Sequence, residues 1–136
     1  MTADRDLERR SAKEVFDDHL ERRKQGDLEG DLRRNYAEDV VVLTARGIMR
    51  GHDGVRQSAA LLYQAIRNAD RYEYETARCD DRMALLEWNA TGRSSSIRDG
   101  VDSYLIEGGK IVAQTIHYTV TSRDLSVSDL ADRHPG

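Results

Sequence analysis

Residues 100–118, GVDSYLIEGGKIVAQTIHY, constrain the fold more than any other stretch of the chain. Apolar and polar side chains alternate on both sides of Glu107-Gly108-Gly109-Lys110. A two-residue alternation broken by a Gly-Gly step is the pattern of two antiparallel strands joined by a tight turn. One face of the first strand carries Asp102, Tyr104 and Ile106, and one face of the second carries Gln114, Ile116, Tyr118 and Val120. A carboxyl group among apolar neighbours is costly unless it is partnered. Asp102 is therefore either a satisfied core group or the working part of a pocket.

With 136 residues, 38% hydrophobic and 34% charged, the chain has room for one domain with a modest core. The net charge of −4 is made of well-mixed signs, with no basic stripe to follow a phosphate backbone, so nucleic acid is not an expected partner. Cys79 is the only cysteine, which excludes an intrachain disulfide and a cysteine-based zinc site and suits a reducing compartment. The first 25 residues hold no apolar stretch of secretory type, and no run approaches a membrane span. The expectation is a cytoplasmic protein with no membrane partner.

Helical spacing runs from Asp6 to Lys24, with Leu7, Val15, Phe16, His19 and Leu20 on one stripe, and Gly26 ends it. Residues 27–36 predict a short second helix through Leu28, Leu32 and Tyr36. The β-branched run Asp39 to Thr44 predicts a buried strand, and Arg46-Gly47 and Gly51 bracket a brief strand or turn. A third helix is predicted from Asp53 to about Asn68, with Val55, Ala59, Leu62 and Ile66 on one face. Four strands follow, at 72–79, 83–91, 97–106 and 110–121. The charges between residues 4 and 34 are expected to form a solvated helical face. This order is that of an α+β protein in which a strongly curved sheet wraps three N-terminal helices.

Four phrases then stand in a definite order: Gly26-Asp27-Leu28, Tyr36-Ala37-Glu38-Asp39-Val40, Gly51-His52-Asp53-Gly54-Val55-Arg56 and Gly109-Lys110-Ile111-Val112. Over residues 7–121 the chain resembles the SnoaL-like branch of the nuclear transport factor 2-like superfamily, which includes ketosteroid isomerases, polyketide cyclases, dehydratases, epoxide hydrolases and non-catalytic binding proteins. The resemblance implies a single domain over 1–121, a polar tail over 122–136, and a cystatin-like α+β barrel whose antiparallel or mixed sheet encloses a conical pocket. It also implies a homodimer through the convex faces of the sheets, where Val101, Leu105, Met83 and Leu85 fall.

Strand alternation placed on that fold makes Phe16, His19, Tyr36, Leu62, Leu86, Trp88, Asp102, Tyr104, Gln114, Ile116 and Tyr118 the expected lining, apart from what plain core packing claims. Asp102 matches the acid of ketosteroid isomerases, which that family keeps protonated to donate to an oxyanion. Their helix-1 tyrosine corresponds to His19, and their general base to Thr44, whose hydroxyl cannot take a proton from carbon at neutral pH. The arginine of the epoxide hydrolases corresponds to Gly100. Steroid isomerisation and epoxide opening by those mechanisms are thus not expected. What remains is His19 and Asp102 as a candidate catalytic pair sharing one proton, or else as two core groups satisfying each other.

The other histidines carry less. His52 is expected in an exposed helix entrance, His117 on the convex face with Ile111, Ala113 and Thr115, and His134 in the tail. No two are spaced as metal ligands, and no cofactor is expected. Arg93 to Ser96 opens a strand and not a helix, so it is no phosphate cradle. Three functions fit: a cofactor-independent isomerase, lyase or cyclase acting on a hydrophobic carbonyl metabolite; a binding module using the same pocket; or a dimerisation module whose pocket is filled by its own side chains.

Overall fold

A computed structural model describes residues 6–67 and 71–122. Three helices, α1 (Ala12–Lys24), α2 (Leu28–Asn35) and α3 (Gly51–Ala65), precede most of a seven-stranded sheet. Its strands are β1 (Tyr36–Thr44), β2 (Gly47–Arg50), β3 (Arg71–Cys79), β4 (Met83–Thr91), β5 (Ser95–Glu107), β6 (Lys110–His117) and β7 (Thr121–Ser122). The order is β2-β1-β6-β5-β4-β3, with β7 paired to β5. All pairings are antiparallel except β1 with β6, so the sheet is mixed.

The predicted hairpin is β5–β6, with Glu107 opposite Lys110 and both Gly108 and Gly109 in the left-handed region that the turn requires. Gly109 is also hemmed in, since a Cβ there would come within 2.0 Å of the Leu7 carbonyl oxygen.

Concave-face residues meet the helices in one core: Val15 and Phe16 from α1, Leu32 from α2, Val55 from α3, and Val40, Leu86, Ile97, Tyr104 and Ile106 from the sheet. The curvature that wraps the sheet is marked by register shifts in β1–β6, β3–β4, β4–β5 and β5–β6. Such bulges bend a strand and strengthen its twist.

Three sequence expectations are corrected. The first helix is not continuous from Asp6: residues 6–8 are helical, the chain breaks at Arg10 and Ser11, and α1 starts at Ala12, where the Ser11 hydroxyl accepts from the Glu14 amide while the Glu14 carboxylate accepts from the Ser11 amide. Ile111 does not join His117 on the convex face but is fully buried, because the shift between Leu105 and Ile106 pairs Ile106 with Ile111 and turns it inward. The charges of residues 4–34 are not all solvated. The Arg10 side chain, 11% exposed, donates to the carbonyls of Leu7, Arg34 and Gly109 and to the Asn35 side chain, and so ties α1's approach to α2 and to the β5–β6 turn.

Of the expected tail, Thr121 and Ser122 pair with β5, and 123–136, with His134, lie outside the described residues. No helix among the described residues is long and apolar enough to cross a membrane.

Candidate functional site

Between the concave face and the helices lies a cavity of about 550 Å³. His19 from α1, Tyr36 from β1, Leu62 from α3, Leu86 and Trp88 from β4, Asp102 and Tyr104 from β5, and Gln114, Ile116 and Tyr118 from β6 and just beyond it all line it. Phe16 does not. It is buried in the core with its ring 5.3 Å from that of Tyr104, one turn before His19 on α1.

Asp102 occupies one wall. Its Oδ1 accepts from the Trp88 indole N–H at 3.0 Å, and its Oδ2 accepts from the Tyr104 hydroxyl at 3.1 Å and, weakly, from the Gln114 amide at 3.5 Å. Gln114 is held in turn by the Tyr36 hydroxyl, which donates to its Oε1. The Trp88 bond depends on Gly100, its cross-strand partner. A Cβ at residue 100 would stand 2.3 Å from two atoms of the indole, so the ring lies over a position that only glycine leaves open.

His19 and Asp102 do not touch, contrary to the direct pair expected. Tyr104 stands between them, its hydroxyl 3.0 Å from His19 Nε2. On the far side His19 Nδ1 donates to Asp31 Oδ2 at 2.8 Å, and Asp31 Oδ1 accepts from Asn35 at 2.9 Å. Asp31 is fully buried.

A tyrosine hydroxyl has one proton to give. If Tyr104 donates to Asp102, then Nε2 must carry a hydrogen and His19 is an imidazolium. If Tyr104 donates to Nε2, the proton sits on Asp102. The chain Asp102–Tyr104–His19–Asp31 is therefore a continuous hydrogen-bonded path with one mobile proton and two resting places.

Burial pushes the Asp102 carboxyl above the usual range, more than the hydrogen bonds from Trp88 and Tyr104 and the nearby His19 and Arg23 pull it down. Burial likewise, with Asp102 close by, holds the Tyr104 hydroxyl well above a normal phenol, so it relays a proton without ionising. Tyr36 is raised in the same way, by burial and then by Asp31.

Thr44 does not reach the cavity; its hydroxyl accepts from the Arg46 amide in the β1–β2 turn. His52 is not exposed turn chemistry but half-buried, donating through Nε2 to the Tyr36 carbonyl at 3.0 Å. His117 is exposed, 4.0 Å from Asp99. Sequence reasoning missed Asp31 and Arg23. The signal for Arg23 was its place one turn after His19 on α1. For Asp31 it was the polar pair Asp31 and Asn35, four apart at the edge of the Leu28, Leu32, Tyr36 stripe.

Three comparisons bear on this arrangement. No curated protein sequence matches the chain. Among solved structures, a candidate SnoaL-like polyketide cyclase from Mesorhizobium loti is similar at a TM-score of 0.65 and 22% identity, with 80% of this chain and 100% of that one covered. A nuclear transport factor 2-like protein of unknown function from Burkholderia xenovorans is similar at 0.64 and 14%, covering 79% and 82%. TerC, co-crystallised with polyporic acid, is similar at 0.62 and 16%, covering 89% and 98%. At these identities the likeness is one of fold. The model of the SnoaL-like domain matches residues 16–114, from α1 to Gln114 in the cavity wall, and the chain belongs to that family.

Proposed function

We propose that the protein is a cofactor-independent enzyme that moves a proton on a hydrophobic carbonyl compound, as an isomerase, lyase or cyclase does. The observation that carries this is the position of Asp102: one titratable carboxyl on the wall of a largely apolar cavity, wired through Tyr104 to a buried imidazole and its carboxylate. When the mobile proton rests on His19, Asp102 is a carboxylate with a lone pair of Oδ1 to spare. It takes a proton from carbon next to a substrate carbonyl, and the C–H electron pair moves into an enolate. Returning the proton at another carbon isomerises the substrate; expelling a β-leaving group eliminates; attack of the enolate on a second carbonyl closes a ring. Burial favours such chemistry by keeping the Asp102 proton affinity nearer to working pH.

Within the same reading the active unit is the single domain of residues 1–121, at work in the cytoplasm, where the lone Cys79 would stay reduced. It pairs as a homodimer through the convex face, where Met83 and Leu85 are 60% and 36% exposed.

The test is deuterium exchange into a panel of polycyclic ketones and 1,3-diketones, followed by proton NMR. Wild type should accelerate exchange at the α-carbon of some member, and Asp102→Asn should abolish it without lowering the melting temperature. The three hydrogen bonds that satisfy Asp102 would equally serve a passive binding pocket. A ligand recovered unaltered after long incubation, with no exchange in wild type, would assign that function instead.

A further inference from the structure

Among the described residues, Arg23 is the one cation of the cavity wall that lacks a close partner. Its guanidinium is 28% exposed, and its single ionic contact among those residues is Asp31 Oδ2 at 3.6 Å, beyond hydrogen-bonding range. Asp31 is already engaged, by His19 at 2.8 Å and Asn35 at 2.9 Å. None of the guanidinium N–H groups is given to an acceptor among the described residues, although a guanidinium has five to offer. Arg56, the other arginine of the wall, is the opposite case, clasped by Glu29 at 2.7 and 2.8 Å and by Asp53 at 2.6 Å.

The surroundings of Arg23 are aromatic. Tyr72, Trp88 and Tyr118 form an arc of tilted rings along the cavity, with centroids 6.3 and 5.8 Å apart and planes inclined by 39° and 56°, and Tyr74 lies in the same wall. Rings inclined in this way offer both faces and edges to an aromatic guest. A partly desolvated guanidinium beside them suits an oxyanion, which it grips through paired, charge-assisted hydrogen bonds.

We infer that the cavity is built for a planar aromatic acid, a compound with one anionic oxygen group, carboxylate or acidic enol, held by Arg23 while its rings lie against the Tyr72–Trp88–Tyr118 arc. This rests on the reading of the cavity as a small-molecule site and names the class of molecule. Along α1, Arg23 follows His19 by four residues, about one helical turn or roughly 6 Å. The anionic group is therefore held one turn from the Tyr104–Asp102 end, which orients the reacting carbon and keeps the negative charge off Asp102.

The test is calorimetric titration of the full chain with 2-naphthoate and with its neutral isostere 2-naphthamide. Wild type should bind naphthoate at least tenfold more tightly, a difference of about 1.4 kcal/mol. Arg23→Met should bring the two ligands to equal affinity, Arg23→Lys should keep part of the preference, and Arg56→Met should leave it intact. Asp102→Asn should keep it too, which separates anion recognition from proton transfer, because the proton-transfer reading can fail while this preference stands. Equal affinity in wild type, binding of neither ligand, or a preference that survives Arg23→Met would each overturn the inference. The wild-type comparison decides even if Arg23→Met does not fold.

Discussion

Gly100→Ala is the sharpest probe of how the site is assembled. The new methyl would stand 2.3 Å from two indole carbons of Trp88 and 2.8 Å from its backbone oxygen, so the ring must swing away. Forcing a side chain off its place in a packed wall costs about 1–3 kcal/mol. The displaced indole also gives up its 3.0 Å bond to Asp102, and hydrogen bonds to a charged group contribute about 1.5–3 kcal/mol. Against this stands a gain of roughly 0.5–1 kcal/mol from replacing glycine in a strand. The net is a loss of about 3 kcal/mol. With an unfolding entropy of roughly 2 cal/mol/K per residue, that lowers the melting temperature by about 10 °C for a chain of this length. Trp88 is the only tryptophan, so its fluorescence reports directly on this wall. The expected result is a lower melting temperature together with a red-shifted emission, as the indole leaves a site where it is buried. A Gly100→Ala variant with wild-type melting and wild-type emission would refute the argument that glycine is what seats the ring.

Three further outcomes follow from the same contacts. Because burial raises the folded-state pKa of Asp102, the folded chain keeps a proton that the unfolded chain has already released. Asp102 therefore costs no stability below its unfolded pKa, costs progressively more as pH rises through the window between the two values, and carries its full cost above. Asn mimics the protonated acid, so melting curves from pH 4 to 8 should show Asp102→Asn gaining on wild type as pH rises; a difference constant with pH would count against it. Tyr104→Phe removes the hydroxyl between His19 and Asp102 and should cost about 1–3 kcal/mol in urea unfolding for the polar groups left unpaired. An unchanged unfolding free energy would mean that the hydroxyl does not join the two groups. Arg10→Ala should lower stability by about 3 kcal/mol in the same denaturation assay, since it leaves the Arg34 and Gly109 carbonyls and the Asn35 side chain without their donor; a loss under about 1 kcal/mol would show the latch to be idle.

The sheet is readable from sequence because its signals are local. Alternation from Gly100 to Tyr118 and the Gly108-Gly109 step specify the β5–β6 hairpin, and the cavity-facing set Asp102, Tyr104, Gln114 and Ile116 follows from the two-residue period alone. What fails are features made by neighbours distant in the chain. Alternation puts Ile111 outside because a bulge is invisible to it. The charges near the start look solvated because helical periodicity records which residues are charged, and not that Arg10 finds the Gly109 carbonyl 99 positions away. Asp31 escapes notice for the same reason: only the crossing of α2 with α1 brings it to His19, 12 residues earlier. The candidate pair is visible in the sequence, but the hydroxyl that joins its members counts there only as lining.

The parallel pairing of β1 with β6 has a consequence for how the molecule comes into being. Tyr36 must find Ile111, and Thr44 must find Ile116, across nearly the whole span of the sheet. Contacts so remote in sequence are slow to form, because the intervening chain must be ordered before they bring any gain. During synthesis the first strand emerges with only β2 to pair with, and its partner arrives only after α3 and three more strands have been made. Until then the hollow has no closed side and its aromatic surface stays open to water. Assembly of the binding chamber thus coincides with completion of the fold, and truncation anywhere before β6 leaves a chain with greasy strands and nowhere to bury them.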